Sequence, residues 1–301
     1  MRSEAMKRYA CFMAVIIGLS ASQVFAITST DVTQAIRDKG ARWTATKTPV
    51  DPQLGGGVWQ IENLISEWID TDDPTESSVV LPSSLSWQAW MSPIKNQGYC
   101  GSCVVMTIVG AMEGLYNLYY GLVALDLSEQ SVLDCVTHDI CEWGWTYDSG
   151  LLWALAVGVM HEQDAPYQYP AGMCIASVPR MDCDALSDPA VDLYYVTAYG
   201  RITPSKSKSA TRRRIKIRLQ DGPVLASFRV YQDFYYYQSG VYEHVTGVYA
   251  GSHGIVIVGY DDHKKAWLIR NSWGPKFGEA GYAWIKYGAV GIEQNVWWLK
   301  V

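Results

Sequence analysis

The chain has 301 residues, 49% of them hydrophobic and 18% charged, a balance that suits a buried core and excludes an intrinsically disordered chain. Its formal net charge of −6 gives no general attraction for nucleic acid. The length allows one large domain or two small ones.

Residues 1–26 carry Arg2, Lys7 and Arg8, then an apolar run from Tyr9 to Leu19, then small and polar residues ending in Val24-Phe25-Ala26. This is the order of a secretory signal peptide cleaved after Ala26, and it predicts a secreted or periplasmic protein. An uncleaved anchor is the rival reading, but the run is far shorter than the roughly 20 residues that span a bilayer. Later apolar stretches are shorter or broken by polar residues, so no stable membrane insertion is expected.

Residues 27–80 differ in texture from the rest. A helix is expected from Thr30 or Asp31, either of which can cap it, to Gly40, which tolerates the terminating geometry. Asp51 to Gly57 holds Pro52 and three glycines and reads as an extended or flexible connection. Ile61, Leu64, Ile65, Trp68 and Ile69 then recur at helical spacing, which predicts an amphipathic helix over Val58 to Asp70. Asp70 to Ser78 is acidic, contains Pro74, and reads as an exposed linker open to cutting.

From Ser102 to about Tyr120 the chain predicts a helix buried on most sides, with Gly110 and Gly114 either weakening it or permitting close packing. Ser128 is placed to cap a short helix ending near Cys135. Lys206, Lys208, Arg212, Arg213, Arg214, Lys216 and Arg218 lie before and along another. The plain reading of that run is a solvated face; the alternative is a site for an anionic ligand, whether phosphate-rich, polysaccharide or an acidic membrane surface. After Gly222 the texture turns to strands, over Val224–Val230, Gly254–Tyr260, Ala266–Arg270 and Tyr282–Lys286. Helices first and strands second predict an α+β protein of two subdomains with a cleft between them. A single mixed sheet with peripheral helices is the rival.

Cys103 opens the long helix, where backbone dipoles and free N–H groups favour a thiolate. A thiolate nucleophile needs a base and a group that orients the base. His253 and Asn271 can supply them, Gln97 can donate to an oxyanion beside the Cys103 N–H, and Trp273 can cover the Asn271–His253 hydrogen bond. On residue chemistry alone, a buried structural cysteine and a core histidine explain Cys103 and His253 equally well. Cysteine counting leaves Cys100, Cys103, Cys135, Cys141, Cys174 and Cys183 once Cys11 is removed with the leader. With Cys103 as nucleophile, the other five give two disulfides and one spare thiol.

Lys95-Asn96-Gln97-Gly98-Tyr99-Cys100-Gly101-Ser102-Cys103 resembles the nucleophile region of papain-like cysteine peptidases, and Asn271-Ser272-Trp273-Gly274 through Tyr282 resembles their asparagine region. Leu127-Ser128-Glu129-Gln130 with Asp134-Cys135 is similar to a third signature, and Pro82 and Trp87 resemble the start of a mature enzyme. The resemblance covers about residues 81 to 301 in the family's order. It implies a papain-like fold, with a helical left half, a β-barrel-like right half and the active site between them. It further implies a peptidase domain over 81–301 and a short inhibitory propeptide over 27–80, in which Leu54–Gly57 either passes closely over Cys103 or serves as a tether.

The resemblance gives Cys103 as nucleophile, His253 as base and later acid, Asn271 as its orienter and Gln97 as oxyanion donor. It implies hydrolysis of peptide substrates through a thioester, with no cofactor and no metal. The second half looks closest to the cathepsin B branch, but the chain has no His-His pair and no occluding insertion, which implies endopeptidase action. The disulfides implied are Cys100–Cys141 and Cys135–Cys174, with Cys183 left over and Val290 where many relatives carry another cysteine. Gly144 is placed to pair with extended substrate. Trp145, Thr146, Ser227, Gly254 and Asn295 would line the pocket for the second side chain before the cut, with Ser252 and Trp273 also on the substrate side. Asn295 stands where cathepsin B has a glutamate, so a medium apolar or weakly polar side chain is expected there. Val104 replaces a usual tryptophan, and Trp143 either narrows the cleft edge or packs on the surface. Rival functions are a catalytically restrained binding protein of the same fold and a cysteine-dependent acyltransferase or deamidase.

Overall fold

In the computed structural model, residues 27–49, 78–122, 125–136, 139–168 and 181–301 are described. The expected leader, the helix over 58–70, the glycine run at 54–57, nearly all of the acidic linker and Cys174 lie outside them.

The first helix, α1 (Ser29–Lys39), starts at a capping box in which Thr28 accepts from the Asp31 N–H and the Asp31 carboxylate accepts from the Thr28 backbone. These bonds hold the Asp31 carboxyl below its usual range. Gly40, in the left-handed conformation, ends it. A short strand, β1 (Arg42–Ala45), follows.

The central helix α2 (Cys103–Tyr120) is buried almost continuously from Cys103 to Leu115. Glu113 is fully buried in its middle, and the fold answers that charge with Lys95 Nζ at 2.9 Å and the Leu127 N–H at 2.9 Å. Lys95 also reaches Asp126 at 2.8 Å and Glu129 at 2.9 Å. Burial works against the Lys95 charge, but Glu129, Glu113 and Asp126 outweigh it and keep the ammonium protonated. Arg270 joins from the sheet, 3.8 Å from Glu113, and Gly110 is the gap through which its guanidinium lies against α2. Close packing is therefore what that glycine provides.

Three short helices pack beside α2. They are α3 (Glu129–Cys135), α4 (Ile140–Trp143) and α5 (Tyr147–Ala156), capped by Ser128, Asp139 and Thr146. One disulfide joins Cys100 to Cys141. The second joins Cys135 to Cys183, which corrects the expected partner Cys174 and the expected isolation of Cys183. A 3-10 turn over Cys183–Ser187 returns to α3 and brings Cys183 within bonding distance, a return that spacing along the chain does not reveal.

The remaining elements are β2 (Ser84–Ser86), β3 (Ala198–Ile202), α6 (Lys208–Arg218), β4 (Val224–Tyr231), β5 (Tyr237–Tyr242), β6 (Tyr249–Asp261), β7 (Ala266–Arg270), β8 (Tyr282–Lys286) and β9 (Asn295–Lys300). The strands run β1-β5-β8-β7-β6-β4-β9-β3, with β2 on β6. All pair antiparallel except β5 with β8. Alternation along the strands feeds two cores from this one sheet. Leu225, Val256 and Trp297 pack with α2 and α5, while Val224, Ala226, Phe228, Ile255 and Ile257 pack with Trp267 and Phe277. The α+β expectation holds, and the two halves share a sheet.

Candidate active site

Residues 97–102 deliver Cys103 to the junction of the two cores. The disulfide at Cys100 and a bond from the Gly101 N–H to the Cys141 carbonyl, 2.9 Å, tie this loop to α4. A Cβ on Gly101 would stand 3.0 Å from that carbonyl, tighter than an ordinary contact, so glycine favours the close approach. Cys103 is then the first residue of an 18-residue helix with no acidic side chain in its first turn, so nothing there opposes a thiolate. It stays outside both disulfides and is fully buried.

His253 arrives on β6. A Cβ on its neighbour Gly254 would lie 3.3 Å from the Cys103 carbonyl, so β6 crosses the first turn of α2 beside the imidazole. His253 Nε2 lies 2.8 Å from Asn271 Oδ1, and because that oxygen only accepts, Nε2 carries the proton. Nδ1 is therefore the basic nitrogen, and it is buried without a hydrogen-bond partner among the described residues. Burial pushes the His253 pKa down to about 4, against the Asn271 bond, which raises it.

Asn271 follows β7 and is fixed by its own N–H on the Gly281 carbonyl, 3.0 Å, and by the Ser272 N–H on its Oδ1, 2.8 Å. The Trp273 ring stacks on His253, with centroids 4.7 Å apart and planes at 28°. Phe234, Tyr235 and Phe277 hold that indole in place. Gln97 is tied to the same loop: Ser272 Oγ donates to its Oε1 at 2.6 Å, while its Nε2 donates to the Cys100 carbonyl at 2.9 Å. One of the two amide hydrogens remains beyond that bond. The arrangement sets a helix-terminal thiol, a neutral imidazole with a defined tautomer and an anchored amide in one place, the parts that nucleophilic acyl transfer needs.

Two tyrosines complete the surroundings. Tyr167 Oη donates to the Gln97 carbonyl at 2.8 Å and lies 3.0 Å from Ser102 Oγ, clamping both ends of the loop. Tyr147 Oη donates to the Ala226 carbonyl at 2.7 Å, and burial, with Cys103 nearby, pushes its phenol pKa up. Neither has a local sequence signal, because each acts across the chain rather than within a motif.

Of the residues expected to meet substrate, Gly144 ends α4, Thr146 caps α5 and Trp145 packs beside Gly150. Gly254, Ser227 and Asn295 lie side by side on β6, β4 and β9. Ser252 Oγ is 3.0 Å from Tyr249 Oη, and Trp143 is half exposed. The basic run does not converge: Arg212 pairs with Glu293, Lys216 with Asp262, and Arg213 and Arg214 donate to the Val79 and Thr203 carbonyls. Among the described residues no three His, Cys, Asp or Glu side chains are grouped to hold a metal ion, and no helix is long and apolar enough to cross a membrane.

The model of the papain family cysteine proteases matches residues 81–298. The chain is 30% identical over 226 residues to fruit bromelain of Ananas comosus, covering 73% of this chain and only 58% of that protein. It is 34% identical over 214 residues to cathepsin B-like CP3 of Giardia intestinalis, covering 67% and 68%. Its fold matches that of proCathepsin B S9 from Trypanosoma congolense with a TM-score of 0.73 at 21% identity, over 90% of this chain and 97% of that one. A family match that takes in the residues carrying the thiol, the imidazole and the amide places this chain in the papain family of cysteine proteases.

Proposed function

We propose that this protein is a thiol-dependent endopeptidase made as a zymogen. The Cys103 thiol gives its proton to His253 Nδ1 and attacks the peptide carbonyl. The tetrahedral oxyanion is met by the Cys103 N–H and the remaining Gln97 amide hydrogen. His253 passes the proton to the leaving amine, then takes one from water, whose oxygen hydrolyses the thioester and restores the thiol. Asn271 keeps Nδ1 turned to the reaction throughout. The observation that carries this reading is the His253 Nε2–Asn271 Oδ1 bond of 2.8 Å beside the first turn of α2, which leaves Nδ1 as the base.

Residues 27–80 act as the intramolecular inhibitor. In support, β1 adds to β5, and Trp43 is buried between Tyr242 and Tyr237, at ring centroid distances of 5.1 and 6.3 Å, with its Nε1 donating to the Glu243 carbonyl at 3.1 Å. The fold match to a proform over 90% of this chain is in keeping with it. Of the five histidines, no two are adjacent, which favours cutting within a chain over removing dipeptides from its end. The protein acts after export, on peptide and protein substrates.

The test is cleavage of a mixed peptide library by the full-length protein, by protein beginning near Leu81, and by each with Cys103→Ala, under reducing conditions between about pH 4 and pH 8. Internal cleavage that disappears with Cys103→Ala is expected. Absence of any Cys103-dependent cleavage would sink the peptidase reading in favour of a restrained binding protein, which the full burial of Cys103 and His253 favours. Products joined to a nucleophile other than water would instead indicate an acyltransferase.

A further inference from the structure

The loop from Gln97 to Ser102 is closed by a side chain from outside it. Gln97 and Ser102 mark its two ends, and both are buried. Tyr167 Oη donates to the Gln97 carbonyl at 2.8 Å and lies 3.0 Å from Ser102 Oγ. A carbonyl only accepts, so the tyrosine proton goes to Gln97 and the proton between the two hydroxyls comes from Ser102. The bonds therefore run in one direction, from Ser102 through Tyr167 to Gln97, and each polarises the next.

Ser102 shows what this arrangement displaces. It occupies the N-cap of α2, where a serine oxygen ordinarily accepts from an N–H of the first turn, yet its side chain makes no cap bond. Ser128 and Thr146, at the same position of α3 and α5, do make theirs, at 2.9 and 3.2 Å. The Ser102 hydroxyl is turned to Tyr167 instead, at the start of the helix that carries Cys103.

Tyr167 is itself fixed to the helical half. Its N–H donates to Glu162 Oε1 at 2.7 Å, and the next N–H, of Gln168, donates to Gln130 Oε1 on α3 at 3.0 Å. Ser128 Oγ donates to the carbonyl of Ala165, two residues before it. On the opposite side Gln97 is tied to the loop after β7, with its N–H on the Ser272 carbonyl at 2.9 Å and its Oε1 on the Ser272 hydroxyl at 2.6 Å. Gln97 is thus gripped from both halves, and the Tyr167 hydroxyl supplies the contact from the helical one. The Cys100–Cys141 disulfide and the Gly101–Cys141 bond hold the middle of the loop without it. The hydroxyl therefore governs where the ends of the loop point rather than whether the loop is folded.

We propose that Tyr167 is a positioning residue for the oxyanion site: its hydroxyl fixes Gln97 against the start of α2 and so holds the Gln97 amide in line with the Cys103 N–H. This rests on the peptidase reading above. Charge develops on the substrate oxygen only as the thiolate adds, so the contribution belongs to the reaction step and not to substrate binding.

The test uses the full chain, processed under reducing conditions, with rates expressed per reactive Cys103. Alkylation by iodoacetamide needs the thiolate but builds no oxyanion, whereas hydrolysis and tetrahedral capture of a peptide aldehyde both build one. For Tyr167→Phe, kcat should fall about tenfold with KM changed less than about twofold, and the aldehyde should be held about tenfold more weakly. The alkylation rate should not change. In a Gln97→Ala background the same change should cost less than about twofold, because the group it aims is gone. Should Tyr167→Phe not fold, Ser102→Ala decides: a kcat loss of about threefold with unchanged alkylation supports the proposal, and an unchanged kcat overturns it. Equal losses from Tyr167→Phe with and without Gln97, a parallel fall in alkylation, or an unchanged kcat overturns the proposal and leaves the peptidase standing. Absence of Cys103-dependent cleavage by the unaltered chain overturns both.

Discussion

In the proposed mechanism His253 accepts a proton, yet it sits where protonation is resisted. Burial holds its pKa at about 4 while the thiol is neutral; a thiolate beside it would raise that value. In Cys103→Ala, where no thiolate can form, His253 should titrate near 4 in an imidazole NMR experiment, and it should titrate higher in the unaltered protein. The same shift bears on stability. The folded value lies below the ordinary 6.5, so in Cys103→Ala the contribution is complete above pH 6.5 and is lost as pH falls towards 4. On the order of 3 kcal/mol is involved. Denaturant unfolding of Cys103→Ala at pH 7 and pH 4.5 should show this loss, and the added change His253→Gln should remove it. Equal pH dependence of the two proteins would contradict the account. At this scale the sequence is most legible, because Cys103, His253, Asn271 and Gln97 each stand inside a short motif. Tyr147 and Tyr167 do not. Their contacts, Tyr147 with Ala226 and Tyr167 with Gln97, join residues 79 and 70 positions apart. Cys183 was hidden for a similar reason: resemblance supplied a partner for Cys135 that the packing replaced.

The elements divide by how local their causes are. The end of α1 could be read from Gly40 and α2 from its apolar run, since caps and periodicity act within a few residues. The cap of α1, however, is Thr28 rather than the expected Thr30 or Asp31, with Asp31 the third helical residue that bonds back to it. β1 could not: Arg42-Trp43-Thr44-Ala45 has too few residues for an alternating pattern, and its partner strand lies about 195 residues on, as the Thr44–Ser239 hydroxyl contact shows. What fixes β1 is Trp43, which is buried and packs against Tyr237 and Tyr242. Trp43→Ala should weaken docking of residues 27–49 by about 3–5 kcal/mol. Amide exchange over Arg42–Ala45 should then rise towards that of an unpaired strand while β7 stays protected. Unchanged protection of β1 would show that α1 alone holds the segment.

Across the whole molecule, one sheet serves two cores, and the charges around Lys95 hold the loop before Cys103 to the helical half. Lys95 bridges Glu113 in α2, Glu129 in α3 and Asp126, and Arg270 reaches the same cluster from β7. Lys95→Met should therefore cost about 3–5 kcal/mol, because buried carboxylates lose their counter-charge. A fall in Tm at pH 7 is the expected readout, with partial recovery when Glu129→Gln is added. Two halves were the expectation and a single mixed sheet only the rival, yet the halves share one sheet, since alternation along β4 and β6 acquires meaning only once their neighbours are known. Maturation near residue 80 would have a consequence for this sheet that goes beyond access to Cys103. With β1 removed, β5 becomes an outer strand, with bare main-chain donors and acceptors beside an aromatic slot shaped for a tryptophan. The processed protein would then carry a template for strand addition, open to an inhibitor's extended segment or to the β1 of an unprocessed copy.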